Sequence, residues 1–174
     1  PSRPMRTPKN AFTLLELVLV IAILGLLAGV VAPKLSQRLA VSRDDRRVAE
    51  LLAVRDAIEQ YKLDTGAYPV GRGNASYGGW DVSHDGEFLG VLVQAGYLSE
   101  MPRDPLNDAN HHYRYFRYNS GAFGCVAPEP FFVLGIRNFE TAGARHKHVG
   151  DFKCPLRDWT SEFAYVTGGG AAYD

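Results

Sequence analysis

Apolar positions along this chain follow two patterns in turn. Phe12 to Val31 is a stretch of twenty residues, FTLLELVLVIAILGLLAGVV, carrying a single charge, Glu16. At helical rise it spans about 30 Å, the thickness of a bilayer's hydrocarbon core. From Lys34 to Asp64 the pattern becomes that of an amphipathic helix. Leu35, Leu39, Val48, Leu51, Leu52 and Ile58 recur at spacings of three, four and seven. Arg43, Asp44, Asp45, Arg46, Arg47, Glu50, Arg55 and Glu59 fill the remaining faces. Gly66 is placed to cap the helix and Pro69 to stop it. The two stretches predict one continuous helical rod of roughly 75–80 Å. Pro33 falls near its middle, where a proline is expected to kink or loosen the helix.

Beyond Pro69 the texture changes. Gly71 to Gly86 is a loop rich in Gly, Asn, Ser and Asp, and Phe88 to Leu98 predicts a short helix with Leu89, Leu92 and Val93 facing inward. Met101 to Asn110 reads as turns. Three strands are expected, His112 to Tyr118, Phe131 to Ile136 and Phe163 to Thr167, followed by a flexible Gly168-Gly169-Gly170 tail. The fold class is therefore α+β, with a long N-terminal helix and a C-terminal head built on a small antiparallel sheet. The chain divides into a leader at 1–11, a membrane-spanning helix at 12–33, its amphipathic continuation at 34–66 and a head at 67–174.

Composition refines this picture at two points. Acidic and basic residues balance at 19 each, which argues against a polyanion binder driven by bulk charge and leaves room for a local basic patch. The leader, however, is basic through Arg3, Arg6 and Lys9 and carries no acid. A basic flank before a span stays cytoplasmic, which puts the head on the far side of the membrane. A secretory signal peptide is the rival reading. The apolar run is longer than a signal core, has no small-x-small cleavage site before a polar mature start, and continues as helix. Two cysteines, Cys125 and Cys154, are too few for a four-ligand zinc site. Outside the cytoplasm a disulfide is the expected state, with two buried thiols as the alternative.

The stretch Ala11-Phe12-Thr13-Leu14-Leu15-Glu16-Leu17 resembles the processing site of type IV prepilins and type II secretion pseudopilins. In that family a short basic leader is cut before a Phe, with a Glu four residues on. Phe12 and Glu16 match; Ala11 stands where the family usually has Gly. Gly25 and Pro33 occupy the family's mid-membrane glycine and end-of-span proline, a segment that the resemblance implies can unwind in the filament. Thr65-Gly66-Ala67-Tyr68-Pro69, and Tyr97-Leu98 followed by Met101-Pro102-Arg103-Asp104-Pro105, are similar to segments of secretion-type pseudopilins. The resemblance implies a non-enzymatic filament subunit that needs no cofactor. Its partners would be copies of itself or related pilins, a prepilin peptidase and methyltransferase, and an inner-membrane assembly platform. It would wait in the inner membrane as a single-pass protein, then join a periplasmic or extracellular filament. The resemblance further implies that Glu16 pairs with the Phe12 amine freed by cleavage, on a neighbouring subunit or on its own chain. A carboxylate within the bilayer costs about 2.5–3.5 kcal/mol and demands such a partner. A minor pilin or binding protein for DNA uptake or adhesion, using the same anchor, is the alternative. The two end-of-helix and turn segments favour a pseudopilin; the cysteine pair favours a pilin.

The remaining constellations add one site. Asp104, Asn107 and Asp108 cluster oxygen donors in a single turn, the donor type a calcium ion takes, and the family's major pseudopilins hold calcium in the head. Asp and Asn in proline-bounded turns also cap backbone groups. His111-His112 and His146-Lys147-His148 read as solvated or strand-edge histidines. Ser83-His84-Asp85 has the residue types of a hydrolytic triad but not its spacing. Arg114, Arg117, Tyr113, Tyr115 and Tyr118 interleave base and aromatic, as single-strand nucleic-acid grooves do. The same alternation is commoner as ordinary sheet sequence, so nucleic acid is not an expected partner.

Overall fold

A computed structural model describes residues 12–148 and 150–171. The leader at 1–11, including Ala11, lies outside the described residues. The chain forms two compact units, one ending at Leu39 and one running from Ala40 to Asp174.

Helix α1 spans Leu14–Thr65 and contributes to both units. Between Leu14 and Gly29 its side chains, Glu16 apart, are apolar on every side, and Leu14, Leu17, Ile21, Leu24 and Leu27 are all exposed. A helix that is hydrophobic all round has no solvent-facing side of its own. It is also the one described helix long and apolar enough to cross a membrane. Helical backbone continues through Pro33. The loss there is the one hydrogen bond that the proline nitrogen cannot donate to Gly29. Three residues later the Ser36 hydroxyl donates to the Ala32 carbonyl at 3.1 Å.

In the second unit the helix buries a stripe of Asp44, Arg47, Val48, Leu51, Val54, Ala57 and Ile58, spaced by three or four. This stripe packs on a four-stranded antiparallel sheet. Its strands are β1 (Asp81–Val82), β2 (Tyr113–Tyr118), β3 (Phe131–Ile136) and, last in the chain, β6 (Tyr165–Gly169), in spatial order β1-β2-β3-β6. Tyr113 faces Ile136 and Tyr118 faces Phe131 across β2 and β3, while Ile136 faces Tyr165 across β3 and β6. Strand β3 is buried along its whole length because both faces are covered. Phe132, Leu134 and Ile136 join the helix stripe with Tyr113 and Tyr115. Phe131 and Val133 join a second core with Trp80, Phe152, Trp159 and Phe163.

Several expectations change. The short helix contracts from Phe88–Leu98 to α2, Gly90–Gln94, because Leu89 adopts a left-handed φ of 47° and the amides of Tyr97 and Leu98 fold back on the Leu92 carbonyl. The last strand shifts to Tyr165–Gly169, so Gly168 and Gly169 belong to the sheet and not to a tail. A Cβ at Gly168 would lie 2.2 Å from the Phe152 ring, and one at Gly169 would lie 2.7 Å from the Phe132 ring. Glycine is there for close packing, not for flexibility. Strand β1, helix α3 (Ala142–Lys147) and the small ladder of β4 (Lys153–Cys154) with β5 (Arg157–Asp158) carry no signal in the apolar pattern: the strands are two residues each and the helix, AGARHK, has no large apolar residue.

Candidate functional site

The start of α1 is a capping box. Glu16 Oε2 accepts from the Thr13 amide at 2.9 Å and from the Thr13 hydroxyl at 2.8 Å, while the Glu16 amide donates to that same hydroxyl at 3.2 Å. Thr13 is therefore the N-cap and Glu16 the third helical residue, the Thr-x-x-Glu arrangement in which two otherwise orphaned amides are satisfied reciprocally. The Thr-x-x-Glu spacing is the signal that discloses this cap, which reading the stretch only as a processing motif passes over. The arrangement holds the carboxylate at the positive end of the helix dipole, within one turn of Phe12. Phe12 itself is exposed, as are Leu14 and Leu15. Gly25 and Gly29 have open space where a Cβ would sit.

In the head, the principal polar cluster is centred on Arg47, which is wholly buried. Its Nε and Nη2 donate to the two oxygens of Asp104 at 2.6 and 2.8 Å. Its Nη1 donates to Asp44 and to Glu140, both at 2.7 Å. Arg43 forks onto Glu140 from the solvent side, with contacts of 2.8, 3.1 and 2.5 Å. Asp44 in turn accepts from the amides of Glu140 and Thr141 and from the Thr141 hydroxyl. The two arginines, Arg43 first, hold the Glu140 carboxyl down at about 2 against the opposing effect of burial. One guanidinium thus ties the helix, the turn at Asp104 and the segment entering α3 into a single network. The amphipathic pattern puts Asp44 and Arg47 on the faces away from the apolar stripe. The missed signal is their spacing, since each lies four residues before an apolar stripe residue, Val48 and Leu51.

The side chains of the expected calcium donors Asp104, Asn107 and Asp108 all bond to protein groups. Both oxygens of Asp104 face Arg47, and Oδ1 also accepts from the amides of Leu106 and Asn107 at 2.9 and 3.3 Å. The Asn107 side-chain oxygen accepts from the Ser83 hydroxyl at 3.2 Å. Asp108 Oδ1 accepts from the amides of Asn110 and His111 at 2.8 and 2.7 Å. The turn is thus organised by capping, with its oxygens turned to protein donors. Among the described residues no group of three or more His, Cys, Asp or Glu side chains is arranged to hold a metal ion.

Other constellations resolve similarly. His112 is buried, not at a solvated edge. Its Nδ1 donates to the Asp108 carbonyl and its Nε2 accepts from Arg114, with the His84 ring tilted beside it, centroids 4.8 Å apart. Burial, then the charge of Arg114, lowers its pKa to about 4. Ser83, His84 and Asp85 bond to different partners: Asn107 and the Tyr113 amide for Ser83, Tyr77 for His84, Asn74 and Arg72 for Asp85. Tyr113 and Tyr115 are buried, their hydroxyls donating to Glu50 and to the Pro69 carbonyl at 2.7 Å each, so they offer no stacking surface. Cys125 and Cys154 form a disulfide, with Cα atoms 4.9 Å apart, that joins the turn before β3 to β4.

Fold and site define a class: an α+β head carried on one capped helix whose first half is apolar enough to cross a membrane. Residues 6–32 match the family described as the prokaryotic N-terminal methylation motif. Type II secretion system core protein G of Aeromonas hydrophila is 39% identical over 132 residues, covering 74% of this chain and 83% of the relative. The protein of that description from Pseudomonas aeruginosa is 26% identical over 158 residues, covering 84% and 97%. The one from Klebsiella pneumoniae is 32% identical over 110 residues, covering 56% and 69%. No solved structure matches the chain. The chain belongs to the family of type IV pilins and type II secretion pseudopilins.

Proposed function

We propose that this chain is a structural subunit of a type II secretion pseudopilus. The observation that carries the reading is the start of α1, where Glu16 is held by Thr13 at the head of a helix whose apolar side chains are exposed all round. Such a surface requires lipid or other helices around it. In this reading a prepilin peptidase cuts between Ala11 and Phe12, and the new Phe12 amine is methylated and stays cationic. The capping box holds the Glu16 carboxylate towards that amine's end of the helix. Pairing between Glu16 of one subunit and the Phe12 amine of the next then compensates two charges in an apolar medium and sets the axial register. Before assembly the subunit spans the inner membrane once, with the basic leader in the cytoplasm and the head outside it. After assembly the apolar helices form the filament core and the heads its surface. The segment from Gly25 to Pro33 carries two glycines and lacks the bond that the proline nitrogen cannot donate, so it is the place for local unwinding under strain. The head contributes shape and contact surface and carries out no reaction. Its organised polar groups are spent on internal bonds, as the Arg47 network illustrates.

The test is mass spectrometry of the chain recovered from cells that hold a prepilin peptidase. The expected mature N-terminus is Phe12 with one added methyl group. A chain that still begins upstream of Phe12 in the filament fraction would falsify the assembly scheme.

A further inference from the structure

We propose that Arg47 takes the place of a metal ion in the head, so that the acidic turn at 101–110 is closed by a guanidinium and not by calcium. Three carboxylates from separate parts of the chain converge on it: Asp44 from the helix, Asp104 from the turn and Glu140 from the approach to α3. A calcium ion joins distant segments by collecting carboxylate oxygens around one charge, at 2.3–2.6 Å and with six to eight ligands. Here the guanidinium collects four oxygens at 2.6 to 2.8 Å, with its planar fork matched to both oxygens of Asp104. Arg43 adds a second positive charge at Glu140. Two arginines thus face three carboxylates, a nearly neutral cluster with little residual field to draw in a divalent ion. Asp104 is the donor that the turn would have to lend to calcium, and it is 3% exposed and fully engaged. Asn107 and Asp108 are engaged by Ser83 and by backbone amides. A metal could enter only by displacing a covalently tethered cation.

The consequence is a head whose fold does not vary with calcium. This holds whether or not the chain assembles into a pseudopilus, so the two readings fail separately. The measurement is thermal unfolding of the full chain in detergent micelles, followed by circular dichroism, in millimolar calcium and in excess EGTA. The wild-type midpoint is expected to be the same in both. Arg47→Ala is expected to lower it by about 10 °C in either buffer, since removing one partner strands buried carboxylates. If that variant does not fold, Arg47→Lys carries the same test: it keeps the charge, loses the fork and should fall by about half as much. A wild-type midpoint that drops by several degrees in EGTA and returns with calcium overturns the proposal. So does an arginine variant that melts at the wild-type temperature.

Discussion

The two halves of α1 obey one helical geometry and solve opposite problems. From Ala40 onward the helix buries Val48, Leu51, Val54, Ala57 and Ile58 against residues of its own chain. Before Leu39 its described leucines, isoleucines and valines are exposed. Charge follows the same division. Arg47 is surrounded by carboxylates brought from 57 and 93 residues away. Glu16 is satisfied from three residues away, by its own cap. The second half is completed within the chain, and the first half finds only local compensation there. Stability should therefore be a property of the head and assembly a property of the first helical turns. Variants ought to separate the two.

The largest expected effect falls on assembly. Glu16→Gln removes the charge while keeping a side-chain oxygen that can accept from Thr13. Filament recovered by shearing should fall below detection on an immunoblot, while the unfolding midpoint of the head stays at the wild-type value. Normal filament yield from a strain carrying only that variant would break the division, because the cap alone would then suffice. In the other direction, replacing both Cys125 and Cys154 by serine should reduce stability of the head by about 3–4 kcal/mol on the loop-entropy model. The closed loop separates the cysteines by 29 residues and ties two segments of the second core. Chemical denaturation of the chain in detergent measures the loss. Membrane insertion of the variant should be unchanged.

How much of this could be read in advance follows the same boundary. The apolar run, its single Glu and the amphipathic stripe are long, strongly patterned signals, and α1 lies at Leu14–Thr65 as periodicity predicts. Strand β3 is legible because six successive residues are buried on both faces. What the pattern hid is whatever depends on partners far along the chain. Asp104 reads as a turn residue, and only the fold reveals Arg47 against it. Arg47 reads as a surface charge because arginines are rarely fully buried, and its place on the stripe is outvoted by its polarity. Gly168 and Gly169 read as a tail because local sequence does not disclose the Phe152 and Phe132 rings that exclude a side chain.

The next effect is a pH dependence confined to the head. The His112 pKa falls from an ordinary 6.5 to about 4 in the folded chain. Burial is the main cause; Arg114, His84 and Arg137 add to it, and the hydrogen bond to the Asp108 carbonyl partly opposes it. Between those two values the unfolded chain binds a proton that the folded chain refuses. Stability is therefore full above pH 6.5, declines as pH drops towards 4, and loses about 3 kcal/mol from this group. Glu140, held down at about 2, adds its own loss only below its ordinary value of 4.5. The two windows are distinguishable in an unfolding series from pH 7 to pH 3. His112→Asn, whose amide can still donate to the Asp108 carbonyl, should flatten the upper window and leave the lower one. A slope that survives in this variant would reassign the titration.

The smallest effect sharpens the comparison most, because it acts on the cap without touching the charge. Thr13→Ala removes the hydroxyl that bonds Glu16 in both directions but keeps the Thr13-position amide that also donates to the carboxylate. An N-cap lost to alanine costs about 1 kcal/mol of helix stability. The carboxylate should then sample other rotamers, and the register-setting pair should form less often without being abolished. The expected result is a filament yield reduced several-fold, between wild type and Glu16→Gln, with the head unfolding at the wild-type midpoint. Thr13→Ser, which restores the hydroxyl, should restore the yield. If serine and alanine behave alike, the hydroxyl is incidental. The compensation of Glu16 would then be entirely intermolecular, which would make the first half of α1 even less complete on its own than its hydrogen bonds indicate.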